Sequence, residues 1–495
     1  MIKVLTVTSE CAPLVKTGGL ADVAGALPFA LAPLGIEMRT LLPGYPGVMA
    51  AMGTVRGKGK VVLEEADLFG GPAQVIAAQA SGLDLLVLDA PHLFARGGGP
   101  YVDPEGRDWP DNPERFAALS WIGAEIAGGT MAGWQPDILH GHDWQAGLAP
   151  WYLRERHPQA GVGSVMTIHN IAFQGKAGAN RLPGLRLRPE GMTQDGFEFW
   201  GDISALKAGL VAADKITTVS PTYAGELLTP DFGMGMDGLL RSRSDVLSGI
   251  LNGVDLAAWT PPYKTPAGKA RFKAKLRRHM GLPDSDGPLC VVVSRLTHQK
   301  GLDLLIDALP RLIDRGGQVA LLGSGEKGLE EAFLRAADHP HVAVRLGYDE
   351  ALARLLIEGG DAILVPSRFE PCGLTQMYGL RFGTLPLVAY TGGLVDTVID
   401  ATPAGLRAGA ATGVQFHPVT AEALSRALDQ LCDLYARPEL WLSLQKNAMG
   451  HPVGWDQTAA DYIELYQSFG HHGSGPCHTA QRRQRPHRVP FKDRR

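Results

Sequence analysis

Two short cationic segments have the residue types and spacing to meet phosphate. Lys16-Thr17-Gly18-Gly19 follows a predicted first strand and precedes a predicted first helix. Glycines let backbone approach an anion closely, and a helix N-terminus offers free N–H groups and positive potential. Arg295-Leu296-Thr297-His298-Gln299-Lys300-Gly301 repeats this strand–loop–helix setting, with its two cations five positions apart. Two fixed cations suit a diphosphate leaving group, whose negative charge grows as its bond breaks. Neither segment is a G-x-G-x-x-G or G-x-x-x-x-G-K-[ST] fingerprint. Taken alone, the first segment reads equally well as a turn with a helix cap. For the second, the alternative of two surface cations is weakened by their place at the C-terminal end of a strand.

Two further segments carry polar side chains on loops. In Arg368-Phe369-Glu370-Pro371-Cys372-Gly373-Leu374-Thr375 a carboxylate sits just before a predicted helix. Glu370 can accept hydrogen bonds from sugar hydroxyls, or simply complement its own helix dipole. The N–H groups of Gly373, Leu374 and Thr375 can meet a phosphate. Cys372 reads as a packed thiol, since no base is adjacent in sequence. His140-Gly141-His142-Asp143-Trp144 and His169-Asn170 lack zinc-site spacing, so a polar wall for carbohydrate fits better than a metal site. A satisfied buried histidine remains an alternative for His140. Finally, Thr391-Gly392-Gly393-Leu394-Val395-Asp396 echoes Thr17-Gly18-Gly19-Leu20-Ala21-Asp22, suggesting a second helix start at the same cleft.

The elements that must position these residues alternate between strand and helix. IKVLTVTSE is an apolar strand, and Leu20, Val23, Leu27, Leu31 and Leu34 then follow at helical spacing, with Pro28 a liability inside that helix. LDLLVLDAP, PDILHGHDW, GSVMTIHN and DKITTVSP read as buried strands ending in polar loops. The pattern restarts after residues 251–268 with PLCVVVSRL, the helix GLDLLIDALPRLIDRG, and the strands QVALLGSGE, HVAVRLGYDE, DAILVPSRFEP and TLPLVAYTGG. Alternation of this kind predicts an α/β fold of two doubly wound, Rossmann-like domains facing an interdomain cleft. The expected divisions are 1–246, 247–454, a helix at 455–470 packing back on the first domain, and a tail at 471–495.

Composition fits an ordinary globular chain: 495 residues, 45% hydrophobic, 20% charged, net charge −4. The segment from Gln481 to Arg495 holds seven Lys/Arg and one Asp, so the rest of the chain is near −10. No nucleic-acid affinity is expected of that body. The tail reads as disordered, and either as plain solvated chain or as a polyanion-binding arm. Five scattered cysteines without C-x-x-C spacing, a strand-like N-terminus with no leader pattern, and no long apolar run predict a cytoplasmic protein without a membrane span.

Taken together, the segments resemble one family: the bacterial glycogen synthases, with the related plant starch synthases. The likeness rests on KTGGLADVAGALP (16–28), HGHDWQAGLAP (140–150), TIHNIAFQG (167–175), LNGVD (251–255), RLTHQKGLDL (295–304) and RFEPCGLTQMYGLRFGTLPLV (368–388), in that order, and spans roughly residues 1–470. It implies the type B glycosyltransferase fold. It also implies transfer of glucose from ADP-glucose to the non-reducing 4-OH end of glycogen or another α-1,4-glucan, with retention, no cofactor and no metal. By this likeness Lys16, Gly18 and Gly19 bind the donor diphosphate, and Arg295 and Lys300 stabilise the departing ADP. Glu370 holds the glucosyl ring beside Cys372, Gly373, Leu374 and Thr375. His169, Asp143 and Asn252 line the sugar side, and Tyr348 stacks on adenine. Many type B enzymes carry a second glutamate eight residues after the first; here that position is Tyr378, as is usual for glycogen synthases.

Retention normally asks for a carboxylate nucleophile. No segment supplies an obvious one, so a front-face reaction is expected, in which the leaving phosphate accepts the acceptor's proton. The protein then contributes positioning and electrostatics, with hinge motion near 245–255. The alternative is the same chemistry with UDP-glucose or a non-glucan acceptor. Oligomeric state is left open.

Overall fold

The computed structural model describes residues 1–53 and 59–470. The basic tail at 471–495, with Cys477, lies outside the described residues. Two α/β units are present. The first is built on a nine-stranded sheet, in spatial order Leu247–Gly249, Lys215–Thr218, Gly163–Ile168, Ile138–His142, Ile2–Val7, Ile36–Pro43, Leu83–Asp89, Ala73–Ala80 and Lys60–Glu65. Its first seven strands run parallel and the last two close the edge antiparallel. The second unit has six parallel strands in the order Val342–Leu346, Gln318–Gly323, Leu289–Val293, Ala362–Val365, Leu385–Ala389 and Val414–Phe416. Numbered along the chain this is 3-2-1-4-5-6, the doubly wound order whose switch point places ligands at strand C-termini.

The runs expected as strands form strands because helices cover both faces, which makes continuous apolar runs stable there. Leu289–Val293 is buried throughout apart from its last residue. The helix Leu302–Asp314 buries Leu302, Leu305, Ala308, Leu309 and Leu312 on one face. Gly19–Leu31 runs through Pro28 and ends in a 3-10 turn with Gly35 left-handed at φ 85°. Four strands of the first sheet and one of the second were not read from sequence. Ile36–Pro43 alternates Glu37 and Arg39 with its apolar residues, which hid a central strand.

The first sheet extends past the boundary expected at residue 246. Leu247–Gly249 pairs with Ile216–Thr218, and the Ile250 N–H donates to the Thr218 carbonyl. The chain leaves for the second unit after this strand and returns near Gly454, where the two crossings lie side by side. Val254 N–H donates to the Val453 carbonyl at 2.8 Å. The helix Trp455–Gln467 then packs on the first unit, with Ala459, Tyr462 and Tyr466 in a cluster with Val4, Leu27, Leu31 and Ile250.

Candidate active site

A cleft of about 1450 Å³ opens between the two units at the C-terminal ends of both sheets. Of the residues singled out from sequence, Gly18, Gly19, Asp143, His169, Asn252, Arg295, Lys300, Glu370, Cys372, Gly373, Leu374 and Thr375 line it. Lys16 and Tyr348 do not. The Lys16 ammonium pairs with Asp22 at 2.7 Å, in the first turn of its own helix. Tyr348 is 85% exposed, next to the end of strand Val342–Leu346. The two glycine-bearing loops face each other closely. A Cβ placed on Gly19 would lie 3.9 Å from Leu374 Cδ1 of the opposite unit.

The loop at Lys16–Gly19 is held by Glu10, a residue the sequence reading missed. Its buried carboxylate accepts from the Thr17 N–H, from Thr17 Oγ1 at 2.6 Å, from the Gly18 N–H at 3.2 Å and from the Tyr101 hydroxyl. The Gly18 amide, read as a phosphate donor, is therefore already engaged. The echo at 391–396 has the same solution. Glu226 accepts from Thr391 Oγ1 at 2.8 Å and the Gly392 N–H at 3.0 Å, while Asp396 accepts from Thr222 Oγ1 and the Thr222 N–H. That second turn lies on the seam between the units, not in the cleft, so the expectation of a second cleft-facing helix start is corrected. A carboxylate filling the turn was the shared signal, but its sequence distance from the turn differs in the two cases.

On the second unit, Gly301 adopts φ 63°, and any Cβ there would collide with the Pro366 carbonyl. This close approach brings Lys300 to Glu370. Lys300 Nζ donates to Glu370 Oε2 at 2.6 Å, and Ser367 Oγ donates to the same oxygen at 2.8 Å. Arg295 is exposed at the cleft wall with no ion-pair partner among the described residues. Arg368, by contrast, is spent on a two-pronged pair with Asp303. Gly373 at φ 72° turns the chain into helix Thr375–Phe382, whose start has no side-chain cap, so its first amides are open to an anion. Burial pushes the Cys372 thiol up to about 12, consistent with a packed, unreactive sulfur.

The sugar side centres on Asp143. Its backbone, at φ 55° and ψ −173°, lies in a region populated almost only by glycine. The strain is held by its own N–H donating to the Thr167 carbonyl and by its carboxylate accepting from the His169 N–H at 2.7 Å and the Asn170 N–H at 3.3 Å. Burial pushes the Asp143 carboxyl up to about 7, against the pull of those two amides. His142 Nδ1 lies 2.9 Å from His169 Nε2. Burial holds both imidazoles neutral, with His142 at about 3 and His169 well below the ordinary range. His140 is a satisfied core histidine: one ring nitrogen meets Tyr466 OH at 2.8 Å and the other Thr167 Oγ1 at 2.6 Å. Among the described residues no group of three or more His, Cys, Asp or Glu side chains is arranged to hold a metal ion.

Residues 3–242 match the family model of the starch synthase catalytic domain, and residues 275–448 that of glycosyl transferases group 1. A glycogen synthase of Paracoccus denitrificans is 63% identical over 95% of this chain and 100% of its own length. One from a Jannaschia species is 58% identical over 94% and 99%.

The chain belongs to the glycogen synthase family.

Its membership extends to the architecture. The solved catalytic domain of starch synthase IV from Arabidopsis thaliana, described as bound to ADP and acarbose, superposes with TM-score 0.83 at 30% identity, covering 94% of this chain and 99% of that one. A sucrose-phosphate synthase from Thermosynechococcus elongatus, at 18% identity and TM-score 0.59, shares the fold alone. Within this glycosyltransferase type B frame, the position where other enzymes carry a second glutamate is filled by Tyr378. Its ring stacks on Trp259 at 3.7 Å and is largely buried. No helix among the described residues is long and apolar enough to cross a membrane.

Proposed function

We propose that the cleft transfers glucose from ADP-glucose to the non-reducing 4-OH end of an α-1,4-glucan with retention, releasing ADP, in the cytoplasm and without a metal ion. The observation that carries this reading is the convergence of Arg295, Lys300 and the uncapped helix start at Thr375 on one cleft, opposite the Thr17–Gly19 loop. Cations and amide dipoles fixed at one point stabilise the charge that develops on a leaving diphosphate. Glu370 Oε2 holds Lys300, and its other oxygen meets no donor among the described residues, leaving it for sugar hydroxyls. Asp143, His169 and Asn252 shape the sugar side. Asn252 Oδ1 is buried without a partner among the described residues and so is an acceptor kept for substrate. Lys16 is paired with Asp22 and Tyr348 is exposed, both outside the cleft lining. Both are assigned to the closed, donor-loaded state.

The acceptor 4-OH attacks C1 from the face the phosphate leaves. The C1–O bond to phosphate breaks as the new C1–O bond forms, and the hydroxyl proton passes to the departing phosphate oxygen. The protein's part is orientation and charge stabilisation, which between them supply most of the barrier reduction in such reactions. The test is release of nucleoside diphosphate with and without glycogen, ADP-glucose and UDP-glucose being compared side by side. Glycogen-dependent ADP release with α-1,4 chain growth is expected. Absence of release with every glucan primer overturns the reading, and faster turnover of UDP-glucose overturns the donor assignment.

A further inference from the structure

Trp200 is 84% exposed and has φ 55°, a left-handed conformation that bulky side chains rarely adopt. It sits at the tip of a hairpin between strands Glu198–Phe199 and Asp202–Ser204. The hairpin is held from several sides. The Gly201 N–H donates to Glu198 Oε1 at 2.7 Å. The buried ammonium of Lys207 donates to the carbonyls of Gln194 at 2.7 Å and Glu198 at 2.5 Å. Phe199 lies edge-on beneath the indole, with ring centroids 6.2 Å apart. Folding has thus placed a large apolar ring in solvent, on a strained residue, in a turn whose surroundings fix it. Glycine or asparagine would occupy this backbone at less cost.

The location suggests what the ring is for. A Cβ on Gly235 would lie 3.4 Å from Trp200 Nε1, so the indole leans on the loop that carries Met234. That loop is tied to the next by Gln174 Nε2, which donates to the Met234 carbonyl at 3.1 Å. Phe173 beside it is 52% exposed and Met234 41% exposed; both line the cleft, as does Phe199. Phe173 and Met234 on the cleft wall and Trp200 beside the Met234 loop are thus three exposed apolar side chains on neighbouring loops of the first unit. The C–H faces of pyranose rings pack on flat aromatic surfaces while their hydroxyls stay in water, and rigid aromatic rings lose little entropy on making such a contact.

We propose that Trp200 is a stacking platform for glucose units of the acceptor chain beyond those held in the cleft. This rests on the reading of the cleft as a glucan site. Its test is the KM for acceptor measured along a series from maltotriose through longer maltooligosaccharides to glycogen. Trp200→Asn, whose side chain suits the left-handed backbone, keeps the fold in place, and Trp200→Tyr restores a ring. Loss of an aromatic contact predicts a rise of about two- to tenfold in KM for glycogen in Trp200→Asn. The change should shrink towards maltotriose, Trp200→Tyr should lie near the parent, and the KM for ADP-glucose is the internal reference. Unchanged KM for glycogen in Trp200→Asn, while the parent transfers glucose normally, overturns the platform alone. A parent that transfers to no glucan overturns the cleft reading with it.

Discussion

Lys300 and Glu370 face each other across 2.6 Å, so the cation assigned to the leaving group and the carboxylate assigned to the sugar form one unit. Both side chains are mostly buried. Neither can be removed without releasing the other, and their effects should not add. Lys300→Ala is expected to lower kcat by about 10²–10³-fold, the scale for loss of a transition-state charge contact. Glu370→Ala should also be severely impaired. The double variant should be much less impaired than the product of the two singles. Near-normal kcat in Lys300→Ala removes it from the leaving-group role, and strict additivity in the cycle removes the coupling.

Glu10 is expected to govern the donor through the loop it holds. Four donors converge on its two oxygens, the two backbone N–H groups on Oε2 and the two hydroxyls on Oε1. Glu10→Ala leaves the Thr17 and Gly18 N–H groups without their acceptor, costing about 1–3 kcal/mol of local stability. The KM for ADP-glucose should rise. Lys16→Ala is the control for simple destabilisation. Its pair with Asp22 is half exposed and worth about 0–1 kcal/mol, so Tm should hold while the donor KM rises. If Lys16→Ala leaves both donor KM and kcat unchanged, Lys16 has no part in the site.

Much of this arrangement was legible in the sequence, and the reason is physical. Strand C-termini in doubly wound sheets gather in space, so polar glycine-bearing loops after apolar runs were bound to share one cleft. That logic placed Arg295, Lys300, Glu370 and His169 together. It could not reveal Glu10, because the carboxylate reaches its loop through the fold of residues 10–18, and nothing in its neighbourhood marks it as an acceptor. It also misjudged Thr391–Asp396, since an identical Thr-Gly-Gly turn serves equally well at a seam between units. Strand Leu247–Gly249 was missed for a third reason: three residues with one serine and one glycine carry no periodicity, and pairing with Ile216–Thr218 makes the strand.

Asp143 gives a pH signature. Burial raises its carboxyl to about 7 in the folded protein, from an ordinary value near 3.8. The folded state therefore binds this proton more tightly than the unfolded chain. Its contribution to stability is fully present below about pH 4, declines as pH rises through about 7, and is absent above that. Asp143→Asn cannot ionise. The difference in Tm, variant minus parent, should therefore become more positive between pH 5 and pH 8. Thermal unfolding at several pH values checks this, and a flat difference would mean that the carboxylate is ionised at ordinary pH.

His142 should act through His169. The Nε2 of His142 is buried and meets no partner among the described residues. A buried N–H without an acceptor is costlier than a bare ring nitrogen without a donor, so the proton of neutral His142 sits on Nδ1. It then donates to His169 Nε2, which leaves His169 with its own proton on Nδ1. That nitrogen meets no protein partner among the described residues and belongs to a side chain lining the cleft, where it is a donor to substrate. His142→Asn keeps a donor NH₂ near the same point and should hold kcat within about threefold. His142→Leu loses the donor and frees the tautomer, and kcat should fall about tenfold, ~1.4 kcal/mol in barrier. In His142→Asp a carboxylate would draw the His169 proton to Nε2, and activity should fall further and become pH-dependent as that imidazole gains a charged partner. Equal activity of the Asn, Leu and Asp variants would show that His142 only packs.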